Sequence, residues 1–186
     1  IQKCQQRDMR AFGELYERYK TEAYKAAYLI TGSTADAEDV TQDVFVKLFR
    51  SIDGFDIERP FRPWLHRIVV NTSLNLLRRR RTTIFHDGYV PQENLFAGDV
   101  RVLPHERVEV KELQKEVRRA IDSLGDKHRL TIIYRHFGDF SYREISQILG
   151  CSIGTVKSRL HYAYRILRRK LQNSPEFAFW EGIEKL

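Results

Sequence analysis

The sequence predicts an all-α protein with two small helical domains joined by a flexible linker. Apolar residues recur every three or four positions through most of the 186 residues, which is the spacing of helices that bury one face. Alternating apolar and polar runs, typical of strands, are nearly absent. Residues 82–105 contain two glycines and two prolines without helical spacing, which is typical of a connecting segment. The predicted boundaries are 1–81, a linker at 82–105, 106–171, and an apolar C-terminal extension at 172–186.

The first domain is predicted to be a bundle of three helices. Asp8 is placed to cap the first helix, and Gly32 is placed to end it. Its apolar stripe is Phe12, Leu15, Tyr16, Tyr19, Ala23, Ala27 and Ile30. The second stripe is Ala37, Val40, Val44, Phe45 and Leu48. The third, which leads into arginines 78–81, is Trp64, Leu65, Ile68, Val69, Leu76 and Leu77.

The second domain is predicted to contain four helices. The fourth helix of the chain has the stripe Val110, Leu113, Val117, Ala120, Ile121 and Leu124. The fifth, with Asp126 as its predicted cap, has Leu130, Ile133, Tyr134 and Phe137. Two further helices are predicted at about 141–149 and 153–171. No internal repeat is present.

The last two predicted helices form a helix-turn-helix pattern. Ser141 and Glu144 make a capping box, Gly150 suits a left-handed C-terminal residue, and Ser152 can cap the final helix. The predicted buried stripe of that helix is Ile153, Val156, Leu160, Ala163, Leu167 and Leu171. Its other face presents hydrogen-bond donors suited to a DNA major groove: Lys157, Ser158, His161, Tyr162 and Arg165. A structural helical hairpin without DNA contacts is the alternative.

The charge distribution favours a polyanionic partner. The chain has 32 Lys and Arg against 25 Asp and Glu, a net charge of +7. Residues 59–86 hold seven arginines and residues 145–175 hold six basic groups, and neither window contains an acid. Two separate cationic faces suit a nucleic acid contacted at two places. Two ordinary solvated helix ends are the alternative.

The composition argues against several other classes of protein. No run of about 18 apolar residues is present, so no membrane insertion is expected. Two cysteines, Cys4 and Cys151, are too few for a disulfide framework or a zinc site, which favours a cytoplasmic protein without cofactor or metal. The Gly-x-Ser-x-Gly pattern at 150–154 follows a helix rather than a strand, and no Glu-x-x-His accompanies the acids near residue 36. We therefore expect no enzymatic activity.

Three stretches together resemble an extracytoplasmic-function (ECF, group IV) sigma factor of bacterial RNA polymerase. They are residues 36–45 (DAEDVTQDVF), residues 61–71 (FRPWLHRIVVN) leading to Arg78 and Arg79, and residues 141–171. The resemblance implies a sigma region 2 bundle at 1–81 and a sigma region 4 helix-turn-helix at 106–171. It implies a promoter-specificity subunit, with a stand-alone helix-turn-helix regulator as the alternative and a helical adaptor protein as a more distant one.

The resemblance also implies partners. Region 2 is expected to dock on the clamp helices of the largest catalytic subunit of core RNA polymerase. Promoter DNA, both duplex and single-stranded, is the second expected partner. An anti-sigma factor, which could hold the chain at the membrane, is the third. The expected core-polymerase contacts are Asp36, Asp39, Gln42, Asp43, Phe45 and Phe49.

The DNA contacts implied by the resemblance fall in both domains. The loop Phe55 to Pro63 is expected to form a pocket for an unpaired base of the −10 element. The −10 contacts are Arg59, Phe61, Arg62, Arg67, Asn71, Asn75, Arg78 and Arg79. The −35 contacts are Ser152, Thr155, Lys157, Ser158, Arg159, His161, Tyr162 and Arg165. Two departures stand out, since many relatives have proline at Gly125 and aspartate at Asn75.

Overall fold

The computed structural model describes residues 1–86 and 116–171, with side chains for 1–80 and 116–171. Every regular element in these ranges is a helix, as the sequence predicts. The chain divides into two compact units, which are described separately below. Most of the predicted linker, the start of the fourth stripe and the C-terminal extension lie outside the described residues.

The first unit is built from three long helices and two short ones. Helix α1 spans Gln2–Gln5, α2 spans Met9–Thr31, α3 spans Thr34–Ser51, a 3₁₀ helix spans Ile52–Gly54 and α4 spans Phe61–His86. Helices α2, α3 and α4 pack against one another in all three pairs, while α1 packs on α2 and on the 3₁₀ helix. The three-helix bundle is as predicted, whereas α1 and the 3₁₀ helix are not foreseen by the apolar pattern.

Local sequence signals set the ends of α2 and α3. The Asp8 carboxylate accepts hydrogen bonds from the backbone amides of Arg10 (2.9 Å) and Ala11 (3.2 Å), which caps α2 as predicted. Gly32 ends α2 with φ 75°, a left-handed conformation that glycine adopts without steric cost. The Ser33 hydroxyl then caps α3 through the amide of Asp36 at 3.3 Å.

The core of this unit consists of aliphatic side chains from all three long helices. The side chains with no exposed surface include Ala23, Ala27, Ile30, Val40, Val44, Leu48, Leu65 and Val69. Tyr16, predicted to be buried, is 39% exposed because it lies on a neighbouring face of α2. Helix α4 continues to His86, so residues 82–86 are helical and the predicted linker cannot begin at residue 82.

The second unit contains the helices after the linker. Helix α5 is described over residues 116–122, α6 spans Asp126–His136, α7 spans Tyr142–Leu149 and α8 spans Ile153–Leu171. Helices α6 and α8 pack on each other. Ala120, Ile121 and Leu124, predicted from the fourth stripe, are buried.

Three sequence expectations in this unit are wrong. The residue before α6 is Gly125, and Asp126 is the first helical residue rather than the cap. Phe137 lies just beyond the end of α6 and is 57% exposed, so it leaves the stripe of that helix. Ile153 is the first residue of α8 and is 43% exposed, because no preceding helical turn covers it.

The helix-turn-helix signals are confirmed. Ser141 and Glu144 form the reciprocal capping box at the start of α7. Gly150 ends α7 with φ 61°, and the Ser152 hydroxyl accepts the amide of Thr155 at 3.1 Å to cap α8. The remaining predicted stripe of α8 is buried: Val156, Leu160, Ala163, Leu167 and Leu171. Within the described ranges, no helix has the length and apolar character needed to cross a membrane.

Candidate nucleic-acid and protein interfaces

A groove runs along the outer surface of the first unit between α2 and α3. Four of the six residues predicted to contact core polymerase line it: Asp39, Gln42, Phe45 and Phe49. Asp39 and Gln42 are exposed, whereas Phe45 is buried in the floor. The groove therefore has an aromatic floor and a rim of mixed charge, which carries Glu38 and Asp39 but also Lys20 and Arg50.

Helix α2 supplies the other wall of this groove, which the sequence analysis did not identify. Phe12, Tyr16, Lys20 and Tyr24 follow one another at four-residue intervals, so they form a second stripe beside the buried one. The Phe12 ring lies edge-on to Phe49 at 5.1 Å, and the Tyr16 ring to Phe45 at 4.7 Å. Met9, 65% exposed, extends the stripe at one end. The strict four-residue spacing was the signal that distinguishes this wall from the core.

Asp36, one of the residues expected to contact core polymerase, is buried rather than exposed. It is 1% exposed at the start of α3 and forms an ion pair with Arg80 of α4, with Oδ2 accepting from Nη1 at 2.6 Å. Burial raises the pKa of Asp36 above its usual value, and the Arg80 charge opposes that shift. Asp43 is exposed but does not line the groove. Of the three acids of α3 expected to contact core polymerase, Asp39 and Asp43 are therefore the exposed ones.

An aromatic cluster surrounds the start of α4, where an unpaired base was predicted to bind. The Phe55 ring lies 4.5 Å from Trp64 and 5.7 Å from Phe61, and Phe61 lies 5.7 Å from Trp64. Tyr19 of α2 adds a fourth ring at 5.1 Å from Phe61. Phe55 is buried, while Phe61 and Trp64 keep part of their surface accessible. Such half-exposed rings offer stacking surface to a base.

A charged network lies beside this cluster. One Glu22 carboxylate oxygen on α2 accepts from His66 Nε2 at 2.7 Å and also pairs with the Arg62 guanidinium. Burial alone would raise the pKa of Glu22, but the hydrogen bonds from His66 and Arg62 outweigh it and lower that pKa. Arg62, predicted to hold phosphate, is thus tied to α2 in this structure. The sequence did not indicate Glu22 or His66.

Four of the remaining predicted −10 residues share one exposed face of α4. Arg67, Asn71, Asn75 and Arg78 are separated by four, four and three residues, and all are exposed. Arg78 Nη1 donates to Asn75 Oδ1 at 3.3 Å, so asparagine at position 75 still provides a partner for an arginine. Arg79 is exposed next to this face, and Arg59 pairs with Asp56 in the preceding loop at 3.2 Å.

The predicted recognition face of α8 is accessible along its length. Lys157, Ser158, His161, Tyr162 and Arg165 are all exposed, while the opposite face is buried. The Arg165 guanidinium lies over the Tyr162 ring at 5.0 Å, which orders both side chains. The face therefore presents cationic and neutral donors from one rigid element.

The other predicted −35 residues are Ser152, in the turn before α8, and Thr155 and Arg159, in the first two turns of that helix. Ser152 and Thr155 bond to each other through their hydroxyls at 2.9 Å as part of the cap. Arg159 donates from Nη1 to the Cys151 sulfur at 3.5 Å and is half-buried. These three residues therefore hold the turn together while leaving polar surface beside the recognition face.

Two histidines of α6 pack against α8 and were not identified from the sequence. The His128 ring lies 4.7 Å from the Tyr162 ring, and His136 Nε2 lies 2.7 Å from the Tyr164 hydroxyl. Burial lowers the pKa of His128, with further contributions from Arg159 and Lys127. Burial also lowers the pKa of His136, with a contribution from Arg135. Both rings therefore favour the neutral form behind the cationic face.

Models of two protein families match this chain over its two units. Sigma-70 region 2 matches residues 15–83, and Sigma-70, region 4 matches residues 114–167. The first match covers most of the groove, the aromatic cluster and the polar face of α4. The second covers the helix-turn-helix and the recognition face of α8.

Curated relatives and solved structures agree with these matches. The chain is 32% identical to ECF RNA polymerase sigma factor SigW of Bacillus subtilis (strain 168), over 93% of this chain and 95% of that protein. It is 33% identical to ECF RNA polymerase sigma-E factor of Escherichia coli (strain K12), over 92% of each.

Two structures of complexes have a similar fold. RpoE bound to the anti-sigma factor NepR from Bartonella quintana has a TM-score of 0.70 at 24% identity, over 88% of this chain and 98% of that one. CnrH bound to the cytosolic domain of CnrY has a TM-score of 0.68 at 27% identity, over 92% and 94%.

Proposed function

Because this chain belongs to the extracytoplasmic-function family of RNA polymerase sigma factors, we propose that its α2–α3 groove docks on core polymerase while α4 and α8 contact the promoter. The protein is a sigma factor that binds core RNA polymerase and directs promoter-specific initiation through the −35 and −10 elements. The observation that carries this conclusion is the presence of both sigma regions, in order, in a chain that aligns along almost its whole length with two such factors. This observation favours a sigma factor over a stand-alone regulator.

We assign the groove to the clamp helices of the largest polymerase subunit. Its rim carries charges of both signs, which suits a partner surface with complementary charges, and its aromatic floor offers the buried anchors that dominate interface energies. Asp39 and Gln42 would contribute the polar contacts, and Phe45, Phe49, Phe12 and Tyr16 the apolar ones. Asp43 would contact the partner beside the groove, and the buried Asp36 would act through Arg80 rather than by touching the partner.

We assign the aromatic cluster and the polar face of α4 to the −10 element. An unpaired base would stack on Phe61 and Trp64, while Arg67, Asn71, Asn75, Arg78 and Arg79 would contact the strand that leads from it. Arg59 and Arg62 would contribute positive potential while bonded to Asp56 and Glu22. Binding energy from these contacts would offset the cost of unstacking.

We assign the exposed face of α8 to the −35 duplex. Lys157, Ser158, His161, Tyr162 and Arg165 would face the major groove, while Ser152 in the turn and Thr155 and Arg159 in the first two turns of α8 would contact the backbone. RNA synthesis itself would be performed by the polymerase, without a cofactor on this chain.

We further propose a cytoplasmic location and an anti-sigma partner. In one of the two similar structures the sigma factor RpoE is bound to the anti-sigma factor NepR, and in the other CnrH is bound to the cytosolic domain of CnrY. Such a partner would keep this chain from core polymerase and could hold it near a membrane.

The docking assignment is tested by a double substitution in the groove. We expect Asp39→Ala with Gln42→Ala to weaken core binding by about tenfold, because two polar interface contacts are lost. Affinity would be measured by fluorescence anisotropy of the labelled chain, and function by run-off transcription from a promoter library.

The matched control removes an acid and an amide elsewhere. Gln6→Ala with Glu14→Ala changes two exposed residues outside the groove and should leave core affinity unchanged. His161→Ala with Arg165→Ala should keep core affinity but lose −35 duplex binding. Equal core affinity in the groove variant and its control would refute the docking assignment.

A further inference from the structure

The amide of Gln5, in α1, holds both ends of the 3₁₀ helix that precedes the predicted −10 loop. Gln5 Nε2 donates to the Ile52 carbonyl at 3.0 Å and to the Phe55 carbonyl at 2.7 Å. Both partners are acceptors, so the nitrogen rather than the oxygen of the amide must face them. A single side chain therefore joins α1 to two points that lie 47 and 50 residues away in sequence.

Arg7 reinforces this connection from the turn after α1. Its guanidinium forms an ion pair with Asp53, donates to the Phe49 carbonyl at 3.3 Å and lies 5.1 Å from the centre of the Phe49 ring. Its backbone has φ 63°, a left-handed conformation that is uncommon for a residue with a side chain. Such strain persists only where surrounding contacts hold it, and it is frequent at functional sites.

The loop that follows is ordered by its own hydrogen bonds. The Asp56 carboxylate accepts the amide of Glu58 at 3.1 Å and the Nε of Arg59 at 3.2 Å, and its carbonyl accepts the amide of Arg59 at 3.0 Å. The loop is thus a compact link between Phe55 and the start of α4. The position of the Phe55 backbone therefore determines where the Phe55 ring and the loop lie relative to Phe61 and Trp64.

We propose that Gln5 is a positioning residue for recognition of the −10 base. By fixing the Phe55 backbone, it sets the distance between the Phe55 ring and the half-exposed Phe61 and Trp64 rings. This inference rests on the proposed role of that cluster in binding an unpaired base. It assigns the discrimination between bases partly to a residue that touches no DNA.

The test compares two substitutions of neighbouring glutamines. Gln5→Glu keeps the shape of the side chain but turns its donors into acceptors facing two carbonyls, whereas Gln6→Glu makes the same change at an exposed position. Gln5→Met removes the donors without adding charge. Each full-length variant is combined with core polymerase and measured against single-stranded oligonucleotides from the strongest library promoter, with one −10 base replaced at a time.

We expect both Gln5 variants to reduce the affinity ratio between the preferred and replaced base by roughly five- to tenfold, as the loss of two hydrogen bonds predicts. Gln6→Glu should leave that ratio unchanged. Affinity for −35 duplex and for core polymerase should stay constant, and circular dichroism should show full helix content. A general loss of stability would lower every affinity together and leave the ratio intact, which would overturn the proposal.

Phe61→Ala separates failure of this inference from failure of the −10 assignment. If Phe61→Ala loses the difference in affinity between the preferred and the replaced −10 base while both Gln5 variants keep it, the role of Gln5 alone would be overturned. An intact ratio in Phe61→Ala would overturn the assignment of the aromatic cluster, and the role of Gln5 with it.

Discussion

At the scale of single residues, Gly125 has a backbone that does not need glycine. It precedes α6 with φ −60° and ψ 148°, and a β-carbon there would meet only His128 Nδ1, at 3.9 Å. Proline favours a φ near −65°. The Gly125 carbonyl accepts hydrogen bonds from the amides of His128 and Arg129, at 2.9 and 3.0 Å, and a proline at this position would keep that carbonyl. Glycine therefore gives the unfolded chain extra backbone conformational freedom at this position, although the folded conformation does not require a glycine.

We expect Gly125→Pro to stabilise the second unit by about 0.5–1 kcal/mol, because proline restricts the unfolded chain at a compatible φ. Calorimetry of the full chain would measure the shift in melting temperature. Gly150→Ala provides the contrast, since φ 61° is unfavourable for alanine and should cost about 1 kcal/mol. A lower melting temperature for Gly125→Pro would contradict this account.

The burial of Asp36 cannot be predicted from its residue type and its place in α3 alone. Its type and position in α3 predict an exposed acid, like Asp39 and Asp43. Its burial depends on Arg80, which is 44 residues away, and helical spacing within α3 carries no information about that contact. The hydrogen bond between Glu22 and His66 likewise joins residues 44 apart, so the helical spacing within α2 gives no sign of it.

At the scale of elements, α7 is defined by interactions within four residues. The Ser141 hydroxyl accepts the amide of Glu144 at 3.3 Å, and the Glu144 carboxylate accepts the Ser141 amide at 2.9 Å. An eight-residue helix has few internal hydrogen bonds, so these two make up a large share of its local stability.

We expect Ser141→Ala to destabilise α7 by about 1 kcal/mol, since it removes an N-terminal cap. Amide hydrogen exchange would show faster opening of α7. Ser146→Ala is the matched control, because the Ser146 hydroxyl only bonds back to the carbonyl of Arg143 within the helix at 2.7 Å. Equal exchange rates in the two variants would argue against the capping box as the source of this stability.

The elements differ in how far the sequence predicts them, and the reason is physical. The starts and ends of α2 and α7, and the start of α8, follow from caps formed by near neighbours in sequence, so the sequence predicts them. Helix α1 has four residues and no stripe, and contacts with the 3₁₀ helix hold it, so no periodicity reveals it. The apolar pattern of α2 predicts a single buried stripe, although Phe12 and Tyr16 line the groove.

At the scale of the whole molecule, the two cationic windows of the sequence lie on different units. The arginines of the first window lie in α4 and in the loop before it, and the basic residues of the second window lie in α8. The proposed assignments give each unit its own part of the promoter. Salt should therefore weaken duplex binding through α8 independently of the arginines on α4.

We expect Lys157→Ala to reduce the slope of log affinity for −35 duplex against log salt by about one, because one cation at the proposed duplex interface is lost and about one fewer counterion is released. Fluorescence anisotropy at several salt concentrations would measure it. Arg67→Ala, an equally exposed cation on α4, should leave that slope unchanged. The same reduction in both variants would show that the two units do not bind separate parts of the DNA.

Helix α4 runs without a break from Phe61 past Arg79. At 1.5 Å per residue these two positions lie about 27 Å apart, close to the length of eight base pairs. If both positions contact the same stretch of promoter, the rigid helix fixes the distance between the two contact points on the DNA. Promoters with one nucleotide inserted or deleted within that stretch should then be read poorly, whatever their base composition.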